Sequence, residues 1–188
     1  MKTVCLSTAY LAPISYYRQM LLYDTVLIEQ HENYVKQTYR NRACIMTASG
    51  IMPLTIPVEH HGGAYDKSPF FEYYADDFRP FYESKPTVYL LDYNMRLQQL
   101  VCDLINLHPA VSLTTTYQKD GDFLDLRNAI TPKRGCSLDG KTNIDGKSSV
   151  PEYYQVFAQR HGFTADLSIV DLLFNMGPEA LLTLHSQV

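Results

Sequence analysis

The residues with the widest chemical reach in this chain stand together between Glu29 and Arg42, in the stretch EQHENYVKQTYRNR. There Glu29, His31, Glu32, Lys36, Arg40 and Arg42 are set among Asn33, Tyr34, Tyr39 and Asn41. A guanidinium carries a fixed fork of donors that matches the oxygens of a phosphate or carboxylate. Arg40 and Arg42 are therefore the candidate anion-binding residues, with Lys36 as a point charge and Asn41 as a polar neighbour. Their spacing of two places both arginines on one face if the segment is extended. His31 is the candidate general base, because an imidazole can take a hydroxyl or amine proton near neutral pH, and Glu29 or Glu32 would orient it. The competing reading is a solvated connection, in which the arginines pair with Glu29 and Glu32 at the surface for little energy and His31 is structural.

Other residues carry less. Asp171 lies in an otherwise apolar stretch and is costly to bury unless paired. Asn175 follows it one helical turn later, and Arg127 or Arg40 could reach it across the fold, so Asp171, Asn175 and Arg127 are expected to support the site rather than react. Neighbouring His60 and His61 would point to opposite faces of an extended chain and have no acid or cysteine at a ligand-like spacing, so no metal site is expected. The Gly-Lys-Thr triplet at 140–142 follows no strand and lacks the glycine spacing of a phosphate loop. Ser7 has no nucleophile elbow, and Cys5 within a strand reads as a small buried hydrophobe.

Several elements must position these groups. Lys2 to Ser7 reads as an inner strand, Thr8 to Pro13 as a loop, Ile14 to Leu22 as a helix by its apolar spacing, and Thr25 to Ile28 as a second strand. That is the order of a βαβ unit. With parallel strands, the loop carrying Tyr10 and the Glu29 to Arg42 stretch open on the same edge of the sheet, where ligands sit in open α/β folds. Ala43 to Met46 and Met52 to Val58 form a hairpin in outline around Ala48-Ser49-Gly50, with Pro53 and Pro57 opposing a central position. Ser68 to Tyr82 begins like a capped helix, with Phe70, Phe71, Tyr74, Phe78 and Phe81 as core. Asn94 to Leu107 is an amphipathic helix, Val111 to Tyr117 a strand, and Phe123 to Asn128 an amphipathic turn. Gly135 to Val150 is a mobile loop, Tyr153 to Ala158 a last strand, and Asp166 to Met176 a helix broken by Gly177-Pro178 before a short terminal helix.

Composition narrows the classes. The 188 residues, 46% hydrophobic and 19% charged, suit one globular domain that buries roughly 70% of its unfolded surface. A net charge of −4 and scattered basic residues oppose nucleic-acid binding. Four separated cysteines fit a reduced, cytoplasmic setting, and the sequence contains neither an export signal of standard form nor an apolar span long enough for a membrane helix.

Three segments are familiar. Leu167 to Ala180, LSIVDLLFNMGPEA, with Ser7 to Tyr17 and Glu29 to Arg42, resembles the WbqC-like protein family of bacteria. The similarity takes in Thr55 to Val58, Ser68 to Tyr82, Asp122 to Lys133 and Tyr153 to Phe163. The resemblance implies a role in O-antigen or other surface polysaccharide biosynthesis. It also implies a transferase activity, including transfer of an amino acid such as glycine onto a sugar. Tyr10, Pro13, Lys36, Arg40, Asn41, Arg42, Asp171 and Asn175 match position by position. The chain departs from the family where Gln30 follows Glu29 in place of a second acid, which opposes a two-carboxylate metal site there. It departs again in the interval Glu59 to Lys67, which is short and without the usual tryptophan: either a shortened member or a chain lacking a flexible loop.

The expectation is thus a single α/β domain with a Rossmann-like, mostly parallel sheet. It binds an anionic, nucleotide-linked small molecule through Tyr10, Lys36, Arg40, Asn41 and Arg42, with His31 and Glu29 catalytic. No cofactor is named, and homo-oligomer formation stays open. The rival is a non-catalytic scaffold of the same pathway, using Phe70 to Tyr82 as its contact surface.

Overall fold

The computed structural model describes residues 1–57, 89–132 and 150–186. The expected Ser68–Tyr82 helix, the His60-His61 pair and nearly all of the expected 135–150 loop lie outside the described residues.

The fold starts from β1 (Thr3–Ser7), whose Val4, Cys5 and Leu6 are all fully buried, as a strand covered on both faces requires. After the loop 8–13 comes α1 (Ile14–Leu22), then β2 (Thr25–Glu29), paired parallel with β1 from Thr3↔Thr25 to Ser7↔Glu29. The expected βαβ unit is therefore present. Next, β3 (Arg42–Thr47) and β4 (Gly50–Thr55) form a separate antiparallel hairpin. Gly50 takes φ +108° at its turn, a conformation that favours glycine. Pro53 is tolerated in β4 because a two-stranded ribbon leaves outward N–H positions unused.

Helix α2 (Leu90–Leu104) buries Tyr93, Asn94, Leu97, Gln98 and Val101 along one stripe. It leads to β5 (Val111–Leu113), parallel to β2, and then to β6 (Leu124–Asp125), parallel to β1. The sheet order is β5-β2-β1-β6. The chain builds outward from β1 through β2 to β5 and then returns to the other side of β1. This is an α/β architecture with a four-stranded parallel sheet.

The C-terminal part holds α3 (Ala158–His161), α4 (Ile169–Met176), a 3₁₀ turn (Gly177–Glu179) and α5 (Ala180–His185). It is fastened to the loop after β1. Ile14 N–H donates to Leu167 O at 3.0 Å, Ile169 N–H to Ala12 O at 2.9 Å and Ser168 Oγ to Leu11 O at 2.7 Å. No helix among the described residues is long and apolar enough to cross a membrane.

The amphipathic helix expected from Asn94 to Leu107 runs instead from Leu90 to Leu104, and four further expectations change. The 123–128 turn is instead β6, because Leu126 N–H donates to Cys5 O along the open edge of β1. The strand from Val111 stops at Leu113, where Thr114 turns its hydroxyl onto Glu29. Tyr153 to Ala158 forms no strand. The Gln155 amide pairs with both backbone groups of Thr164, and Val156 N–H goes to Asn175 Oδ1, so side chains replace a ladder. The helix expected from Asp166 starts at Ile169, because Ser168 is its N-cap and accepts from Val170 N–H.

Candidate functional site

Because all four strands run the same way, Ser7, Glu29, Thr114 and Arg127 come to the same, carboxyl edge of the sheet. The strand order reverses between β1 and β6, and the crevice at such a reversal is where open α/β sheets take ligands.

Ser7 Oγ is central. It accepts from Arg40 Nη2 at 2.9 Å and lies 3.0 Å from both Glu32 Oε2 and Arg127 O, two acceptors for its single proton. Arg40 forks Glu32: Nε reaches Oε1 at 2.9 Å and Nη2 reaches Oε2 at 2.6 Å, with side-chain exposures of 5% and 13%. Asn94 on α2 fixes the arginine's main chain, donating to Arg40 O at 2.8 Å and to Thr8 Oγ1 at 3.1 Å.

A second charge group lies beside the first. The Glu29 carboxylate is fully buried and accepts from His31 N–H, Thr114 Oγ and Gln118 N–H, each at 2.8 Å, with Arg127 Nη1 at 3.4 Å. Burial pushes this carboxyl up, but the three hydrogen bonds and the Arg127 charge together hold it below the usual carboxylate range. Arg127 also binds Asp125 through Nε (2.9 Å) and Nη2 (2.6 Å), and its guanidinium stands 5.0 Å from the Tyr117 ring centre. The Arg127 hydrogen bond depresses the Asp125 carboxyl in turn.

The cavity at this edge, lined by Ser7, Thr8, Thr38, Arg40, Arg127 and Ile130 among others, has a volume of about 10 Å³, room for about one water. Anything larger requires a side chain to move.

The expected site residues are spread unevenly around this crevice. Arg40 and Arg127 line it, and Glu29 underlies it. Arg40 sits in the turn before β3, not in extended chain, so it does not share a strand face with Arg42. Asn41 is buried and closes the base of the hairpin, its Nδ2 donating to Ile56 O at 2.8 Å. Tyr10 is fully buried, its ring stacked on Tyr93 at 6.4 Å. His31 and Lys36 are exposed on the loop after β2. It is the His31 main chain, not its ring, that meets Glu29.

Asp171 bonds neither Arg127 nor Arg40. It accepts from Met46 N–H (3.1 Å), Tyr153 OH (2.9 Å) and Asn175 Nδ2 (3.1 Å), tying α4 to β3. The arginines are already held by nearer acids, and burial raises the Asp171 carboxyl despite its three donors.

Sequence reasoning rejected Ser7 as a nucleophile without giving it another place in the site, and passed over Thr114, Tyr117, Gln118 and Asp125. The available signal was their place at or just beyond strand ends. Cys5 stays inert: it is fully buried and burial pushes its thiol up to about 11.

The start of α1, where many α/β folds hold phosphate, has an internal anion. Asp166 accepts from Ser15 N–H at 2.7 Å and from Ser15 Oγ at 2.9 Å. An anionic ligand at this edge must therefore rely on side-chain cations.

Fold and site define an α/β protein with a charged crevice at the carboxyl ends of a parallel sheet. The chain belongs to the WbqC-like protein family, whose model matches residues 8–64 and 60–138. The two stretches overlap at residues 60–64, and the match takes in the crevice-lining turns. No curated protein and no solved structure matches the chain.

Proposed function

We propose that this chain is a single Rossmann-like domain that acts in bacterial surface polysaccharide biosynthesis. In this reading it is a cytoplasmic transferase for a sugar, with an anionic, nucleotide-linked donor bound at the crevice between β1 and β6. The observation that carries the reading is the convergence of Arg40, Arg127 and the Ser7 hydroxyl where the strand order reverses. Arginine forks suit phosphate oxygens, and the hydroxyls of Ser7, Thr8 and Thr38 suit a sugar. His31 and Lys36, exposed on the neighbouring loop, take the proton-accepting and charge-steering roles, while Glu29 holds that loop's backbone. Aminoacyl transfer, including transfer of glycine, falls within the proposed reaction class.

The test is a thermal-shift screen of the full chain against nucleotide sugars, aminoacyl adenylate analogues and free nucleotides, with and without magnesium. A ligand at a hundred times its dissociation constant adds about 2.7 kcal/mol, a shift of roughly 5–10 °C at this chain length. Lys36→Ala, outside the buried network, should weaken a hit. A donor hit followed by a His31→Ala variant that binds but does not turn over supports the transferase. A folded protein with no response to any donor rejects the reading.

A further inference from the structure

Arg40 and its partner Glu32 are held very differently. Arg40 is 5% exposed as a side chain, its carbonyl is bonded to Asn94 on α2, and its guanidinium also meets Ser7 at the end of β1. Glu32 is carried by the loop after β2, in which Gln30, His31, Asn33, Val35, Lys36 and Gln37 are all exposed. The cation is fixed and the anion rides on a surface loop. Moreover, both oxygens of Glu32 sit on the Arg40 fork, with Ser7 Oγ as a third contact, which is the arrangement an incoming carboxylate or phosphate needs. The cavity beside them is about 10 Å³, so a ligand must displace something. Gln30 and His31 pin the start of the loop to Thr114 and Glu29, whereas Glu32 itself is held through its contacts to Arg40 and Ser7.

We infer that Glu32 is the internal occupant of an anion site on Arg40 and Ser7, and that a ligand's carboxylate or phosphate takes its place on the same fork as the Glu32 side chain and residues 32–37 swing out beyond the anchored Gln30 and His31. This rests on the proposed function and adds how the crevice opens and which chemical group it recognises. Glu32 thereby sets specificity: only a ligand anion that outcompetes a tethered carboxylate is retained.

The experiment is isothermal titration calorimetry of the full chain with inorganic pyrophosphate and, separately, glucuronate, comparing wild type with Glu32→Gln. The variant should bind the responding anion at least tenfold more tightly. Its own melting temperature should fall, because Arg40 loses its buried counter-ion, and the anion should raise it by more than it raises wild type. In the Glu32→Gln background, Arg40→Lys should abolish the gain, since an ammonium has no fork. Should Glu32→Gln not fold, Glu32→Asp, with its shorter reach, should show the same change at smaller size. A response to pyrophosphate alone assigns a phosphate ligand, and one to glucuronate alone a carboxylate. If wild type binds and Glu32→Gln binds equally or less tightly, the inference fails while the proposed function stands. If the gain survives Arg40→Lys, the inference also fails. If no protein binds either anion, both fail.

Discussion

Replacing Asp166 by alanine removes the cap of α1 from a position 151 residues away in sequence. The carboxylate is 2% exposed and accepts Ser15 N–H at 2.7 Å and Ser15 Oγ at 2.9 Å. A hydrogen bond to a charged group contributes about 1.5–3 kcal/mol net, and stranding a buried donor costs about 1–3 kcal/mol. The two bonds share one carboxylate, so their values do not simply add; about 3 kcal/mol is a fair figure for the pair. Asp166 also takes φ +56°, which aspartate tolerates better than alanine, adding about 1 kcal/mol. Asp166→Ala should therefore lose about 4 kcal/mol in urea unfolding followed by far-ultraviolet circular dichroism, or roughly 8–16 °C in melting temperature. Asp166→Asn keeps an acceptor for Ser15 N–H and accepts the left-handed backbone, so it should lose only about 1 kcal/mol, mostly the charge–dipole contribution. An alanine variant within about 1 kcal/mol of wild type, or an asparagine variant as damaged as alanine, would refute the capping argument.

Arg127→Gln leaves the Glu29 carboxylate buried without its cation and should cost about 3–5 kcal/mol by chemical denaturation; adding Glu29→Gln should recover part of this, and a double variant no better than the single one would contradict the pairing. Asp171 behaves in the opposite sense from Glu29 and Asp125 as pH changes. The depressed carboxyls of Glu29 and Asp125 contribute stability that is present above the ordinary carboxylate value of about 4 and is lost as pH falls through their lowered values. The raised carboxyl of Asp171 carries no penalty below about 4, and the penalty grows as pH rises through its raised value. The stability difference between Asp171→Asn and wild type should thus move in favour of the variant from pH 4 to pH 8, and a flat difference would show that burial does not govern this acid. The Cys5 thiol, pushed up to about 11, should resist alkylation in native protein at pH 8 when followed by peptide mass spectrometry and react in urea; prompt native labelling would count against its burial.

The parts of the fold that could be read in advance are those decided locally. The buried run of β1, the helical spacing after Ile14 and the Ala48-Ser49-Gly50 turn need no distant partner to be recognised. The β6 strand differs. Two residues carry no periodicity, and Leu124–Asp125 is a strand only because the edge of β1 is there to pair with it. Tyr153 to Ala158 fails for the converse reason: its residues are β-prone, but the side chains of Gln155 and Asn175 engage the backbone first. At the site, the sequence shows which residue types are present, not how they pair. Glu29 and Arg127 are 98 positions apart, and nothing in either neighbourhood signals the other. The strand-end rule, applied to β1 as it was to β2, points to Ser7 and Thr8.

The closing LSIVDLLFN stretch, which lies beyond the residues the family model matches, owes its character to support rather than chemistry. Ser168 caps α4 while donating to Leu11 O, Asp171 takes Met46 N–H, and Asn175 takes Val156 N–H. Leu11, a bulky residue, has φ +40°, a backbone state that costs about 1–3 kcal/mol unless its surroundings impose it. The bond from Ser168, with Ala12 O and Ile14 N–H held on either side, supplies that imposition. The loop leaving β1 is therefore rigid, and Asn94, bridging Thr8 Oγ1 and Arg40 O, passes the rigidity to the arginine. One wall of the crevice is thus fixed by residues far along the chain, whereas the opposite wall, the exposed loop bearing Glu32, is held to it largely through charge. A site built this way presents a preorganised cation to its ligand and leaves adjustment to one acidic loop, which is why the Arg40–Glu32 contact, rather than any single catalytic group, is the place where specificity can be tuned.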